Sequence, residues 1–401
     1  MPNGELRIAG KNRRIINLIT LALVMVLGLL IRKELIWYVS RDWTVFFELW
    51  MKEIAKNGFG ALAGDFYDYA PAYMYLLVIA AQFGAKSMIA MKLISVFFDL
   101  LLAAAAGWTA FAIRKKEALA MLVFSIVWLA PTVISNSSMW GQCDAVYSSF
   151  LLLTLLFLIK EKPGTAMLFF GIAFAFKLQA LFWLPVIILL WLFKRIKTLN
   201  LAWIPSAFLI SIVPAWIAGR PFSELLGIYF AQVGIDTNRL SMKYPNIYYI
   251  IGELNLSGWY TDAGKLFAVG VVLLFMVAVI YKLMHTKLTP ELLLMICYTQ
   301  GALALYFLPQ MHERYGYFIE IVAIILGVLC IKLFWVPVVH ILITFITYSY
   351  YYNYDQPKNI PYYVLSLVML GILLFMVYRT MTWKNGEEQS YGMEKENRLL
   401  S

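Results

Sequence analysis

The sequence predicts an all-α polytopic membrane protein, and three observations predict it. Hydrophobic residues make up 62% of the 401 residues and charged residues only 14%. Apolar runs of about 17 residues or more, the length that crosses a bilayer as a helix, recur along the chain. The run Ile15 to Ile31 lacks the apolar–polar alternation of a barrel strand. A backbone in lipid must satisfy its own hydrogen bonds, so helices are what remain. The net charge of +10 is read as the excess of Lys and Arg on cytoplasmic loops, not as a nucleic-acid footprint. Cys143, Cys297 and Cys330 have no metal-ligand spacing and suggest neither a disulfide framework nor a zinc site. The sequence holds no P-loop, GxGxxG or HExxH motif, hence no soluble nucleotide-binding domain, and no internal repeat.

Each element follows from local pattern. Arg7, Lys11, Arg13 and Arg14 precede the first span, about 15–37, and place the N-terminus in the cytoplasm. Arg32-Lys33-Glu34 follows that run in place of a small-residue cleavage site, so it reads as an uncleaved span. The outer segment 38–87 contains an amphipathic helix. Trp43, Phe46, Phe47, Trp50 and Ile54 share one face, Glu48, Lys52, Glu53 and Lys56 the other, and Gly58 ends the pattern. That pattern suits a helix lying on the membrane. Pro71 to Phe83 is too short for a span. Keeping it out of the bilayer delivers Arg114-Lys115-Lys116 to the cytoplasm after span 2 (88–113), as the distribution of basic residues requires. Further spans are expected near 118–135, 145–159, a hairpin ending at Lys194-Arg195-Ile196-Lys197, 201–218, a span returning to Lys282, 292–308, 317–332, 335–352 and 361–378. The total is about 12 transmembrane helices. Residues 1–378 form one membrane domain, and 379–401 read as a disordered cytoplasmic tail.

The informative charges cluster at one face of this arrangement. Asp42, at the outer end of span 1, is either a general base for an acceptor hydroxyl or the N-cap of the helix starting near Trp43. Asp144 ends the irregular stretch Asn136 to Gln142, where Trp140 and Gln142 are suited to pack on and hydrogen-bond a sugar; its alternative is capping the next span. Asp99, in mid-span, reads as a buried structural partner. His312, Glu313 and Arg314 stand together at the outer end of a span, as a phosphate clamp or as side chains snorkelling to headgroups. Lys177, with Gln179 beside it in the bend of the apolar hairpin, and Arg220 and Lys243 in the second outer loop, are candidates to join such a site. Tyr69 belongs to the dense aromatic segment Tyr67–Tyr73, and Asp68 there is the second-choice acid.

In order along the chain, these segments resemble bacterial relatives of GPI mannosyltransferase II, in the GT-C superfamily of polyprenyl-phosphate-sugar glycosyltransferases. The resemblance runs through Asp42 to Trp50, Tyr69-Ala70-Pro71-Ala72-Tyr73-Met74-Tyr75-Leu76, Lys92 to Asp99 and Asn136-Ser137-Ser138-Met139-Trp140-Gly141-Gln142-Cys143-Asp144. It continues through Phe174 to Gln179, Pro214 to Pro221, Leu240-Ser241-Met242 with Pro245-Asn246, and Leu308 to Tyr315. It covers about 40–320. It implies a GT-C-type bundle with interfacial helices in the first outer loop. Asp42 would be the first-loop catalytic acid and Asp144 the second-loop acid.

The same resemblance implies a polyprenyl-phosphate hexose donor, mannose or glucose, and a glycan or glycolipid acceptor outside a bacterial plasma membrane. His312 and Arg314 would lie near the donor phosphate, and transfer would invert the anomeric centre. Ala72 stands where the family often has a second proline, and no Asp-x-Asp pair stands beside Asp42, so no metal is assigned and no cofactor is expected. Two other classes share these features: a transporter or flippase of a lipid-linked glycan, and a glycan ligase. Transporters usually place their key charges near the bilayer midplane, unlike the charges here.

Overall fold

The structure, a computed structural model, describes residues 2–233, 239–251, 258–353 and 357–384. Among these residues every regular element is a helix. Seven helices are long and apolar enough to cross a membrane, or eight if the pair Glu117–Leu129 and Pro131–Trp140, bent by 46° at Ala130, is one span. The chain is thus a multi-pass membrane protein.

The expected count of about 12 is not reached on length, and the reason is structural. Four expected spans are the shorter apolar helices Asp144–Ile159, Pro163–Phe176, Leu178–Leu192 and Tyr317–Leu329. A 16-residue helix such as Asp144–Ile159 rises only about 24 Å, less than the hydrocarbon core. Each of the four stops, at one end, beside the same cavity: at Asp144, on either side of Lys177, and just after Arg314 and Tyr315.

The core sits around these short helices. Tyr317–Leu329 and Pro290–Phe307 are buried along almost their whole length. Asp144–Ile159 packs against Pro163–Phe176 and Ser87–Arg114. The outer ring is apolar and exposed. In Ile15–Leu35 only 11% of the span window is buried, and in Tyr260–His285 only 22%, as lipid-facing helices require.

The amphipathic helix forms as expected over Glu48–Asn57, with Trp50, Met51 and Ile54 buried and Lys52 and Lys56 exposed. Gly58 ends it with φ 58°, a value few other residues adopt. Pro71–Ala81 is a helix of 11 residues, too short to span. Residue 379, where a tail was expected to start, lies inside the helix Tyr362–Thr382. The last helix runs to Thr382, Trp383 is buried, and Lys282 Nζ donates to the carbonyls of Met381 (2.8 Å) and Trp383 (2.9 Å). The rest of that expectation, from 385 onward, lies outside the described residues.

Asp99 has the buried partner expected of it. Arg32 Nη2 lies 2.9 Å from its carboxylate, and Ser137 Oγ donates at 2.6 Å. The pair ties the first span to the middle of Ser87–Arg114, and the Arg32 guanidinium stacks 3.8 Å over Trp128.

Candidate active site

The site begins where span 1 ends. Lys92, fully buried on Ser87–Arg114, donates to the carbonyl of Ile36 (3.0 Å) and to that of Tyr38. Ile36 lies just past the end of the helix Pro2–Leu35, where carbonyls are left unpaired, and Tyr38 lies in the loop that follows. Ser40 then starts the next helix: its Oγ accepts from the Trp43 N–H (3.2 Å) and donates to the Trp140 carbonyl (2.9 Å). Capping is therefore the work of Ser40, and the Asp42 side chain caps nothing.

Asp42 instead turns its carboxylate to three donors from distant parts of the chain. Oδ2 accepts from Trp140 Nε1 (2.8 Å) and Gln142 Nε2 (2.5 Å), and Oδ1 from the Tyr351 hydroxyl (2.8 Å). A carboxylate offers about four lone-pair positions, so one remains, on Oδ1. The Trp140 ring stacks on Tyr351 at 3.9 Å, which fixes the two donors against each other. Tyr69 donates to Gln142 Oε1 (3.1 Å) and so holds the amide with its NH2 toward Asp42.

The stretch 135–142 can do this because of its backbone. Pro131 follows the bend, Ser135–Trp140 is a π-helical turn, and Gly141 ends it with φ 78°. A Cβ on Gly141 would stand 2.6 Å from Met91 Cε. Only glycine lets this turn sit on the helix that carries Lys92.

Beside this turn, Asp144 is completely buried and forms an ion pair with Lys177. Its Oδ2 accepts from Asn136 Nδ2 (2.9 Å) and lies 3.8 Å from Arg314 Nε. Lys177 reaches it because the backbone is extended there (φ −155°, ψ 133°), between the helices Pro163–Phe176 and Leu178–Trp183. Arg314 Nε makes no hydrogen bond, and its guanidinium lies 5.4 Å from the Trp140 ring and 5.7 Å from that of Tyr315.

His312 and Lys243 are brought together by pairing of two loops. Gln310 N–H donates to the Leu240 carbonyl (2.9 Å) and Tyr244 N–H to that of Met311 (3.1 Å), with bridges from His312 to Met242 and Lys243. His312 Nδ1 lies 3.8 Å from the buried Glu313 carboxylate. Burial alone would raise the Glu313 pKa. The nearby His312 and the charges of Arg314 and Lys243 outweigh it and leave the carboxyl below the ordinary glutamate value. Glu313 thus enters the site as an anion beside its cations.

One cavity of about 530 Å³ gathers Asp42, Tyr69, Trp140, Lys177, Gln179, Lys243, His312 and Arg314, with Phe46, Phe47 and Trp50 of the amphipathic helix region. Gln179 Oε1 is buried there with no hydrogen-bond partner, an acceptor left for something that enters. Three expected site residues are not in its lining. Gln142 and Asp144 stand behind it and act through Asp42, Lys177 and Arg314. Arg220 lines a separate cavity beside Tyr67 and Glu224. Sequence reading passed over Tyr351, which sits in an aromatic run, 348–352, that resembles an interfacial belt. Among the described residues no three His, Cys, Asp or Glu side chains converge as a metal site.

The arrangement can take a proton at Asp42 and hold an anion among Lys177, Lys243, His312 and Arg314. Its fold is similar to that of the crystal structure of ArnT from Cupriavidus metallidurans bound to undecaprenyl phosphate. The two agree with a TM-score of 0.54 over 90% of this chain and 77% of that one, at 12% sequence identity. In sequence, the chain is 28% identical over 164 residues to GPI mannosyltransferase 1 of Saccharomyces cerevisiae, a stretch covering 39% of this chain and 38% of the yeast protein. No family model matches the chain.

Proposed function

We propose that this protein is a polyprenyl-phosphate-dependent hexosyltransferase, acting at the extracytoplasmic face of a bacterial plasma membrane. The observation that carries the reading is the Asp42 carboxylate, oriented by three donors with one lone pair spare, in the cavity lined by Lys177, Lys243, His312 and Arg314. The ArnT structure supports the donor class, since it holds undecaprenyl phosphate in a protein of the same fold. The yeast relative's name supports mannose as the hexose. The ordered motifs resemble those of bacterial relatives of GPI mannosyltransferase II.

In this reading the donor phosphate lies against His312 and Arg314, with Lys177 and Lys243 adding positive charge and the apolar ring around Phe46 and Trp50 meeting the lipid. Asp42 takes the proton of the acceptor hydroxyl. The hydroxyl oxygen bonds to C1 from the face away from the phosphate, the C1–O bond to phosphate breaks, and its electron pair leaves with the polyprenyl phosphate. That single displacement inverts the anomeric centre. The cations stabilise charge developing on the leaving oxygen, the kind of preorganised field that contributes most to catalysis. Asp144, buried between Lys177 and Arg314, positions both and does not touch the substrate.

The test is incubation of the purified protein with polyprenyl phosphate mannose, polyprenyl phosphate glucose and mixed acceptors, with mass spectrometry of lipid and acceptor. Release of polyprenyl phosphate coupled to a hexose gain on the acceptor supports the reading. Movement of intact donor across a vesicle bilayer without transfer would overturn it in favour of a flippase.

A further inference from the structure

Arg220 was expected in the donor site, and its actual place points elsewhere. Gly219, with φ 115°, ends the helix Trp203–Ile217, and the Arg220 N–H closes the turn onto the Ala215 carbonyl (3.1 Å). This turns the Arg220 side chain inward, 7% exposed, with its guanidinium 4.6 Å over the Tyr67 ring. The Glu224 carboxylate lies 3.5 Å from Nε without hydrogen-bond alignment, and Nε and Nη1 are buried with no hydrogen-bond partner. Such donors are costly to bury unsatisfied.

Arg220 lines a second cavity, of about 310 Å³, with Asp65, Tyr67, Asp68, Glu224, Gly227 and Gln232. Asp68 and Gln232 also line the Asp42 cavity, so the two are neighbours across a shared wall. The charges select the ligand. A phosphate or carboxylate would meet Asp65, Asp68 and Glu224 against the one guanidinium. An apolar group would leave the Arg220 N–H groups unpaired. Sugar hydroxyls fit both kinds of partner, since each accepts from a guanidinium and donates to a carboxylate.

We propose that the Arg220 cavity is an acceptor subsite, taking an uncharged sugar residue of the acceptor through its hydroxyls while the neighbouring residue of that acceptor presents its nucleophile to Asp42. The proposal rests on the glycosyl transfer proposed above. Gly227 gives a clean way to test it. It lies within the helix Phe222–Val233, lines this cavity and not the other, and a Cβ there meets nothing within 4 Å. Gly227→Trp therefore fills the cavity without straining the helix.

The full-length protein in nanodiscs is titrated with methyl α-D-mannopyranoside and with its 6-phosphate, read by saturation-transfer NMR. Polyprenyl phosphate binding is measured in parallel. The neutral glycoside is expected to bind. Its affinity should fall at least about tenfold in Gly227→Trp and in Arg220→Met, the loss of hydrogen bonds to a charged group, while polyprenyl phosphate binding persists in both. Where Arg220→Met does not fold, Gly227→Trp decides alone. Absence of glycoside binding, binding unchanged in Gly227→Trp, or tighter binding of the 6-phosphate would each overturn the subsite. Loss of polyprenyl phosphate binding in the wild type would instead overturn the donor assignment, whatever the glycoside does.

Discussion

The two ends of the helix bundle handle charge in different ways. At the end away from the cavity, charged side chains lie at the surface or on helix ends. Arg195 and Glu161 are 4.0 Å apart and largely exposed, Arg114 pairs with Glu291 at 2.6 Å, and Lys282 bonds to the last carbonyls of the chain's final helix. Lys115, Glu161 and Lys194 there take up left-handed backbone at helix ends, with φ of 55–56°, so the turns are tight and the charges point outward. At the cavity end the ionic groups are pulled inward. Asp144 is fully buried, Lys177, Glu313 and Arg314 nearly so, and Gln179, Glu313 and Arg314 keep polar atoms without hydrogen bonds. Enclosing charge is expensive, so the concentration of buried, incompletely hydrogen-bonded ionic groups around the cavity marks that end as the working one. The basic end reports topology, whereas the cavity end reports chemistry.

The comparison breaks most directly at Asp42. Asp42→Asn keeps an acceptor oxygen and the size of the side chain but cannot take a proton. Transfer activity should fall about 10³-fold, within the range for removing a general base, with polyprenyl phosphate binding retained. An Asp42→Asn enzyme with wild-type turnover in the mass-spectrometric assay would remove Asp42 from catalysis.

This asymmetry was largely legible in the sequence, though unevenly. Asp42, Lys177, His312 and Arg314 are chemistry-bearing residues in apolar surroundings, and such residues stand out without a structure. What they touch does not stand out. Tyr351 is separated from Asp42 by most of the chain, and nothing local distinguishes it from Tyr350 or Tyr352. Arg220 was grouped with the donor site by charge alone, while the positive φ of Gly219 turns it toward Tyr67. Sequence shows the Asp144 carboxylate but not the two cations, Lys177 and Arg314, that lie beside it. Span length misled in the same way. The short helices stop at a cavity that no hydropathy window can sense.

A second break separates stability at the two ends. Lys177→Met leaves Asp144 buried with Arg314 3.8 Å away as its remaining cation. Removing one partner of a buried pair costs about 3–5 kcal/mol, so a marked loss of thermal stability in detergent is expected. Asp144→Asn combined with Lys177→Met should restore part of it, because the uncompensated charge is gone. If the double variant is no more stable than the single one, the pair is not what holds this region.

Smaller in effect, and sharper in meaning, is Tyr351→Phe. The ring that stacks on Trp140 at 3.9 Å stays, and the hydroxyl that donates to Asp42 Oδ1 goes. Asp42 keeps its bonds to Trp140 and Gln142 but loses the third direction that fixes its rotation. A net hydrogen bond is worth about 1 kcal/mol and one to a charged group somewhat more, so kcat should drop about tenfold with KM nearly unchanged. A rise in KM at constant kcat would show that Tyr351 meets the substrate and does not position Asp42.

The smallest expected effect completes the comparison from the other end. Arg195→Ala removes a cation that is 50% exposed and 4.0 Å from a Glu161 carboxylate that is 84% exposed. Long side chains held that loosely lose in entropy much of what they gain in attraction, and solvent screens the remainder. Stability should change by less than about 0.5 kcal/mol, and transfer activity should not change. Arg195 sits in the basic group Lys194, Arg195 and Lys197, the kind of cluster that the sequence reading assigns to cytoplasmic loops. An Arg195→Ala protein with lowered turnover in a fixed orientation would mean that the two ends are coupled through the Leu178–Leu192 helix, which runs from the Lys177 break to this loop. Unchanged turnover would leave that helix as a passive strut between them.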